Sequence, residues 1–215
     1  MSAPRIGIMR VVSGLDEPLE LAHQQLLTPL LKGAKLATRA LPNQPEGIHD
    51  ARTLALALPK IAELGEKWQA QLDFLLVSCA ADPGIKALRQ SLKIPVLGAG
   101  ESCCKIARQY GQVIGVLGIE AQLPEVFNEQ LSDCTLIYRQ PDGVNCTHDI
   151  RTQKGQNAII EAALACEQAG AKVIALACTG MATTDVASLL APYTSLPVIN
   201  PVLAAGELIS QHFDL

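Results

Sequence analysis

Two hydrophobic periods alternate along the whole of this chain, and that alternation limits what it can fold into. Short apolar runs of strand character occur at 6–12, 35–41, 72–78, 94–97, 113–119, 135–139, 172–177 and 197–200. The run at 72–78 is nearly continuous, as expected of a strand covered on both faces. Between the runs, apolar residues return every three or four positions. Asp16 and Pro18 start one such segment, Leu19, Ala22, Leu26, Leu27 and Leu30 share its face, and Gly33 stops it. Further helices are predicted over 50–70 with Pro59 inside, from Asp82-Pro83-Gly84 to 92, and over 101–110, 123–131, 149–168, 184–190 and 202–212. Strand–helix alternation of this kind predicts an α/β fold, with parallel sheet and helices on both faces.

The pattern also repeats. A shift of 108 residues carries Ile6-Gly7-Ile8 onto Ile114-Gly115-Val116. A shift of 99 carries Val77-Ser78-Cys79 onto Leu176-Ala177-Cys178, and a shift of 102 carries Ile94-Pro95-Val96 onto Leu196-Pro197-Val198. Three matches in one order predict two lobes of like topology, with boundaries at 1–98 plus 199–215 and at 99–198. Cys79 and Cys178 then hold equivalent places, each after a buried strand and before a helix. Ligands of open parallel sheets collect beyond the carboxyl ends of the strands. Two lobes facing each other about a pseudo-two-fold axis would set the two thiols across one cleft.

Two opposed acid–base groups are what inversion at a carbon centre needs, since a single base tends to return the proton to the face it left. A helix N-terminus lowers a thiol's pKa and offers N–H groups for a developing oxyanion. On this reading Cys79 and Cys178 are the acid–base pair and the backbone at Ala80, Ala81, Thr179 and Gly180 holds the enolate oxygen; Arg10 either meets an anionic substrate or is a solvated charge at a strand end. Glu101 and Ser102 either cap the following helix or touch the ligand, and are carried as substrate-binding candidates. Asp82 reads as a helix cap. Cys166 falls on the core face of its helix, Cys134 precedes a strand, Cys146 lies in a polar loop, and one of Cys103 and Cys104 could approach the cleft. His23, His49, His148 and His212 share no spacing and read as surface histidines.

Composition removes several classes. Aromatics are 3% of the 215 residues, against the stacking platforms of single-strand binders. Seventeen Lys and Arg stand against 21 Asp and Glu, a net charge of −4 with no basic run to meet a phosphate backbone. Seven cysteines without a CxxC pair predict neither a zinc site nor a disulfide framework but reduced thiols, hence a cytoplasmic protein. The apolar run at 6–12, interrupted by Arg10, is too short for a signal segment or a membrane span.

At Ser78-Cys79-Ala80-Ala81-Asp82-Pro83-Gly84, Pro95-Val96-Leu97-Gly98 and Gly100-Glu101-Ser102, the chain resembles the first half of hydantoin racemases. Ala177-Cys178-Thr179-Gly180-Met181 and Leu196-Pro197-Val198-Ile199-Asn200-Pro201 resemble the second half. The resemblance, within the aspartate/glutamate racemase superfamily, spans nearly the whole chain. It implies two flavodoxin-like lobes, a cleft between them, and Cys79 and Cys178 as acid–base residues without cofactor. Amino-acid racemases of that superfamily usually carry Asn-Thr after the first Cys and His two residues after the second. Ala80, Ala81 and Gly180 stand at those places here, favouring a neutral cyclic ureide. The rival readings are an amino-acid racemase, a cis–trans isomerase or decarboxylase of a small acid, and a binding module with buried cysteines. No nucleic-acid or membrane partner is expected; an apolar helix such as 50–70 could face a partner subunit in an oligomer.

Overall fold

A computed structural model describes residues 3–215. Eight strands, β1 (Arg5–Arg10), β2 (Lys35–Ala40), β3 (Phe74–Ser78), β4 (Val96–Gly98), β5 (Val113–Leu117), β6 (Thr135–Arg139), β7 (Val173–Leu176) and β8 (Val198–Ile199), form two four-stranded sheets. Every pairing is parallel, and the orders β2-β1-β3-β4 and β6-β5-β7-β8 are the same arrangement met twice. The registers agree as well. Ile6 pairs with Phe74 and Ile114 with Val173; Leu75 pairs with Val96 and Ile174 with Val198. The shifts of 108, 99 and 102 seen in the sequence therefore carry one hydrogen-bonded ladder onto the other.

Among the described residues ten helices connect or follow the strands: α1 (Glu17–Glu20), α2 (Ala22–Leu27), α3 (Ala51–Trp68), α4 (Ile85–Ser91), α5 (Ala99–Ala107), α6 (Glu125–Gln130), α7 (Gln153–Gln168), α8 (Thr179–Thr183), α9 (Val186–Leu190) and α10 (Pro201–Phe213). Local chemistry sets the best-defined starts. Asp50 Oδ1 accepts from Thr53 N at 2.7 Å while Thr53 Oγ1 accepts from Asp50 N at 3.1 Å, a reciprocal cap on α3. Asn200 Oδ1 accepts from Val202 N and Leu203 N, and Pro201 opens α10 where no N–H is needed. One expectation fails: the helix after Asp16 breaks at Leu21 into α1 and α2. The helix expected over 184–190 is α9, and an additional one, α8, precedes it and starts directly after Cys178.

Strand alternation divides the core. On the first sheet Leu75 and Val77 pack with Ala57, Ile61 and Leu88 of α3 and α4, while Phe74 and Leu76 face the opposite side. On the second, Ile174 and Leu176 pack with Ile159 and Ala163 of α7, and Val173 and Ala175 face the other way. The covers of those remaining faces are exchanged. Helix α5 follows the first sheet's last strand, yet its Cys103, Cys104 and Ile106 pack on the second sheet. Helix α10 follows the second sheet's last strand, yet its Val202, Ala205 and Ile209 pack on the first. The two exchanged helices lie against each other.

Candidate active site

A cavity of about 810 Å³, part of it open to solvent, lies where the carboxyl ends of both sheets meet. Arg10 and Cys79 enter it at the ends of β1 and β3, Glu120 and Cys178 beyond the ends of β5 and β7. Loop residues 46–49 and 146–147 close its sides. Of the residues proposed from sequence, Cys79, Cys178, Arg10, Ala80, Ala81, Thr179 and Gly180 all line this cavity.

The two thiols are held differently. Cys178 is the N-cap of α8, and the backbone N–H groups of Gly180 and Met181 in the first turn favour its thiolate without forming a side-chain cap hydrogen bond. Cys79 is not at a helix start: α4 begins six residues later, and only the N–H of Ala81 serves the thiol. The expected lowering of both pKa values is reversed, because burial outweighs these donors. Cys178 is pushed up to about 11 and Cys79 higher still.

Asp82 is a cap, but not of its own helix. In a left-handed turn at φ 50°, it reaches back so that Oδ1 accepts from Gly100 N at 2.8 Å and Oδ2 from Glu101 N at 2.6 Å. It therefore pins the loop after Cys79 to the first turn of α5. Burial pushes its carboxyl up to about 7 against the pull of those two donors. The close approach explains the glycines of Gly98-Ala99-Gly100: a Cβ at Gly98 would strike the Asp82 carboxyl, and one at Gly100 the Ala80 carbonyl. Gly180 is constrained likewise, since its Cβ would stand 2.7 Å from Thr147 Cγ2. A larger side chain at 180 would force the 146–147 loop out of the cavity wall.

Arg10 is buried, with 4% of its surface exposed. Its Nη1 donates to Leu19 O and Glu20 O at 2.9 Å each, at the end of α1. Burial lowers its pKa to about 10, so the guanidinium stays cationic at neutral pH. No carboxylate pairs with it among the described residues.

Glu101 and Ser102 do not reach the cavity. Glu101 accepts from Gly98 N and pairs with Arg89, while Ser102 Oγ donates to Gly98 O, so both are spent on the start of α5. Cys103 and Cys104 are core residues of α5; Cys103 Sγ lies 3.7 Å from Leu176 O and 3.6 Å from Ile199 O. Cys166 packs in the core and Cys134 is half-buried.

Sequence reasoning missed several groups. Cys146 is half-buried and lines the cavity beside Thr147, and Glu120, His49 and Arg151 line it too. The largest miss is His23, read as a surface residue but wholly buried on α2. Its Nδ1 lies 2.8 Å from Ser78 Oγ, and its Nε2 3.0 Å from Thr183 Oγ1 and 3.3 Å from Thr179 O. A carbonyl can only accept, so Nε2 carries the hydrogen and Nδ1 accepts from Ser78. Thr179 Oγ1 also donates to Ser78 O at 3.4 Å. These bonds tie the residue before Cys79 to the residue after Cys178. Burial, with Arg10 nearby, holds the His23 pKa well below its ordinary value. Among the described residues no three His, Cys, Asp or Glu side chains group as an ion site, and no helix is long and apolar enough to cross a membrane.

Two repeated α/β lobes with paired thiols at one cavity set the terms for comparison with known proteins. The sequence over residues 21–209 matches the Asp/Glu/Hydantoin racemase family. The chain belongs to that family. It is accordingly a racemase-type isomerase. It is 25% identical over 172 residues to a hydantoin racemase from Rhizobium meliloti, a stretch covering 76% of this chain and 70% of the relative. In fold it is similar to the allantoin racemase from Klebsiella pneumoniae, with a TM-score of 0.81 at 21% identity, covering 99% of this chain and 88% of the other. A glutamate racemase from Bacillus anthracis superposes with a TM-score of 0.71 at 16% identity, covering 99% and 82%. Family membership thus agrees with the doubled sheet, and the same architecture serves relatives named for ureides and for an amino acid.

Proposed function

We propose that this racemase inverts C5 of a 5-substituted hydantoin or a related ureide by a two-thiol mechanism that needs no cofactor. The observation that carries the reading is the placement of Cys79 and Cys178, equivalent in the repeat, in the wall of one cavity. One sulfur, as thiolate, takes the C5 proton. The electron pair moves into the adjacent carbonyl, whose oxygen becomes the oxyanion. The other thiol gives its proton to the opposite face, the carbonyl re-forms, and the roles are exchanged for the other enantiomer. The N–H groups at Ala81, Gly180 and Met181 and the cationic Arg10 supply positive potential where that charge develops. The same reading divides the chain at 1–98 plus 199–215 and 99–198, supported by the packing of α10 on the first sheet.

The test is solvent deuterium uptake at the stereogenic carbon, followed by proton NMR on single enantiomers of hydantoins, allantoin, aspartate and glutamate. Exchange with hydantoins or allantoin, faster than without protein, is expected. Cys79→Ser and Cys178→Ser should each lower racemisation about 10²–10⁴-fold. Each should also abolish exchange from one enantiomer only, the opposite one in the two variants. Full racemisation by either variant would sink the two-base mechanism. One observation favours a second reading: the unpaired Arg10 fits a substrate carboxylate. Exchange with aspartate or glutamate and none with the ureides would select it.

A further inference from the structure

Beside the reaction cavity runs a second groove, walled by α3 and α4 on one side and α6 on the other. Three residues, Ile48, Ala81 and Glu120, line both spaces, so the groove and the cavity share that wall. Ile48 of the first lobe and Glu120 of the second flank it, and Ala81 between them contributes only a methyl group. Beyond it, Leu54 and Leu58 of α3 and Val126 of α6 give the groove apolar walls. Leu58 is 40% exposed, an apolar side chain left half-uncovered beside the cavity.

The charge of the groove is one-sided. Of the six acidic residues that line it, Glu129 and Glu101 are paired with the two cations, Lys86 and Arg89, and Asp82 is capped by backbone N–H groups, which leaves Asp50, Glu120 and Glu125. Glu120 is half-buried, and its carboxylate takes no hydrogen bond from any described residue; only its backbone carbonyl is used, by Tyr138. His49 and Asp50 are the side chains whose fields act on it, in opposite directions. A carboxylate so placed is stabilised by an N–H donor or a cation supplied by the ligand.

We infer that the groove is the subsite for the substrate's C5 substituent, and that it selects an apolar stem carrying a positive charge. The inference rests on the ureide reading of the cavity. The ring, held between the thiols, projects its substituent past Ala81 and between Ile48 and Glu120. The stem lies on Leu54 and Leu58, and the cation meets Glu120. An anionic substituent of equal length meets the same carboxylates and is rejected, a specificity device of repulsion as much as attraction.

Four hydantoins test this, with methyl, pentyl, 4-aminobutyl and 3-carboxypropyl groups at C5, and with kcat/KM for C5 proton exchange as the readout. The wild-type protein should prefer 4-aminobutyl over 3-carboxypropyl by about tenfold or more. Glu120→Gln should bring the two within about threefold of each other. Leu58→Trp, at an exposed position that tolerates the larger ring, should lower the pentyl-to-methyl ratio about tenfold by filling the groove. Melting temperatures establish that both variants are folded. Exchange of the methyl compound with ratios that neither variant moves would overturn the groove assignment and leave the racemase reading standing. Equal rates for the amino and carboxy compounds in the wild type would overturn the charge selection. Exchange of none of the four would overturn the ureide reading and this inference together.

Discussion

Cys178 and Cys79 share a cavity but not a set of donors: two backbone N–H groups face the first and one faces the second. Burial favours the protonated form of both, and the extra donor makes Cys178 the more readily ionised. Below its pKa a thiol gains about tenfold in thiolate for each pH unit. Alkylation of both residues by iodoacetamide should therefore be slow at pH 7 and climb as pH approaches 11, with Cys178 labelled ahead of Cys79. Peptide mass spectrometry against time would follow each site; earlier labelling of Cys79 would refute the order. Slow labelling at neutral pH does not separate a racemase from a mere binding module, because burial raises the resting pKa in either. Cys79, Cys178 and Arg10 were legible as single residues because they sit at strand ends in a repeat. His23 was not, since its partners lie 55, 156 and 160 positions away and nothing near it in sequence marks them.

At the scale of elements, the strands were the readable part. The central strands β3 and β7 are short apolar runs buried on both faces, while the outer β2 and β6 carry exposed polar residues. Short helices beside the site were harder. Thr179-Gly180-Met181-Ala182-Thr183 has a glycine and two threonines, poor helix formers, and is helical because its first turn is fixed against Cys178 and the 147 loop. The start of α5 was readable as a helix, but its use was not. Asp82 and Gly100 make that turn the backing of the Cys79 loop. Asp82→Asn should cost about 1–3 kcal/mol, because the amide cannot accept at both of its ends. Gly100→Ala should displace the Ala80 carbonyl, and with it the loop that carries Cys79. Its expected signature is a loss of turnover much larger than the change in melting temperature; unchanged turnover would show that the loop is not positioned from behind.

At the scale of the molecule, His23 fastens one lobe to the other. Its folded pKa lies below the value near 6.5 of an unfolded histidine. Between those two values the unfolded chain binds more protons, so stability rises with pH across the window and is lost on acidification below about 6.5. Replacing His23 with Asn should cost about 1–3 kcal/mol at pH 7.5 through unmet buried bonds. The wild type's advantage should shrink toward pH 5, as read from paired denaturant titrations. An advantage that grew on acidification would mean that His23 is charged in the folded protein.

The exchange of α5 and α10 sets an order on how the chain can be made. A nascent chain leaves the ribosome from its N-terminus, and domains generally fold as they emerge. Here the first sheet is finished by residue 98, but the helix that completes the cover of Ile6, Ile8, Phe74 and Leu76, 201–213, is made only after every strand of the second sheet. Until that thirteen-residue helix arrives, this face of the first sheet has only Leu27 and Leu31 of its own lobe to cover it.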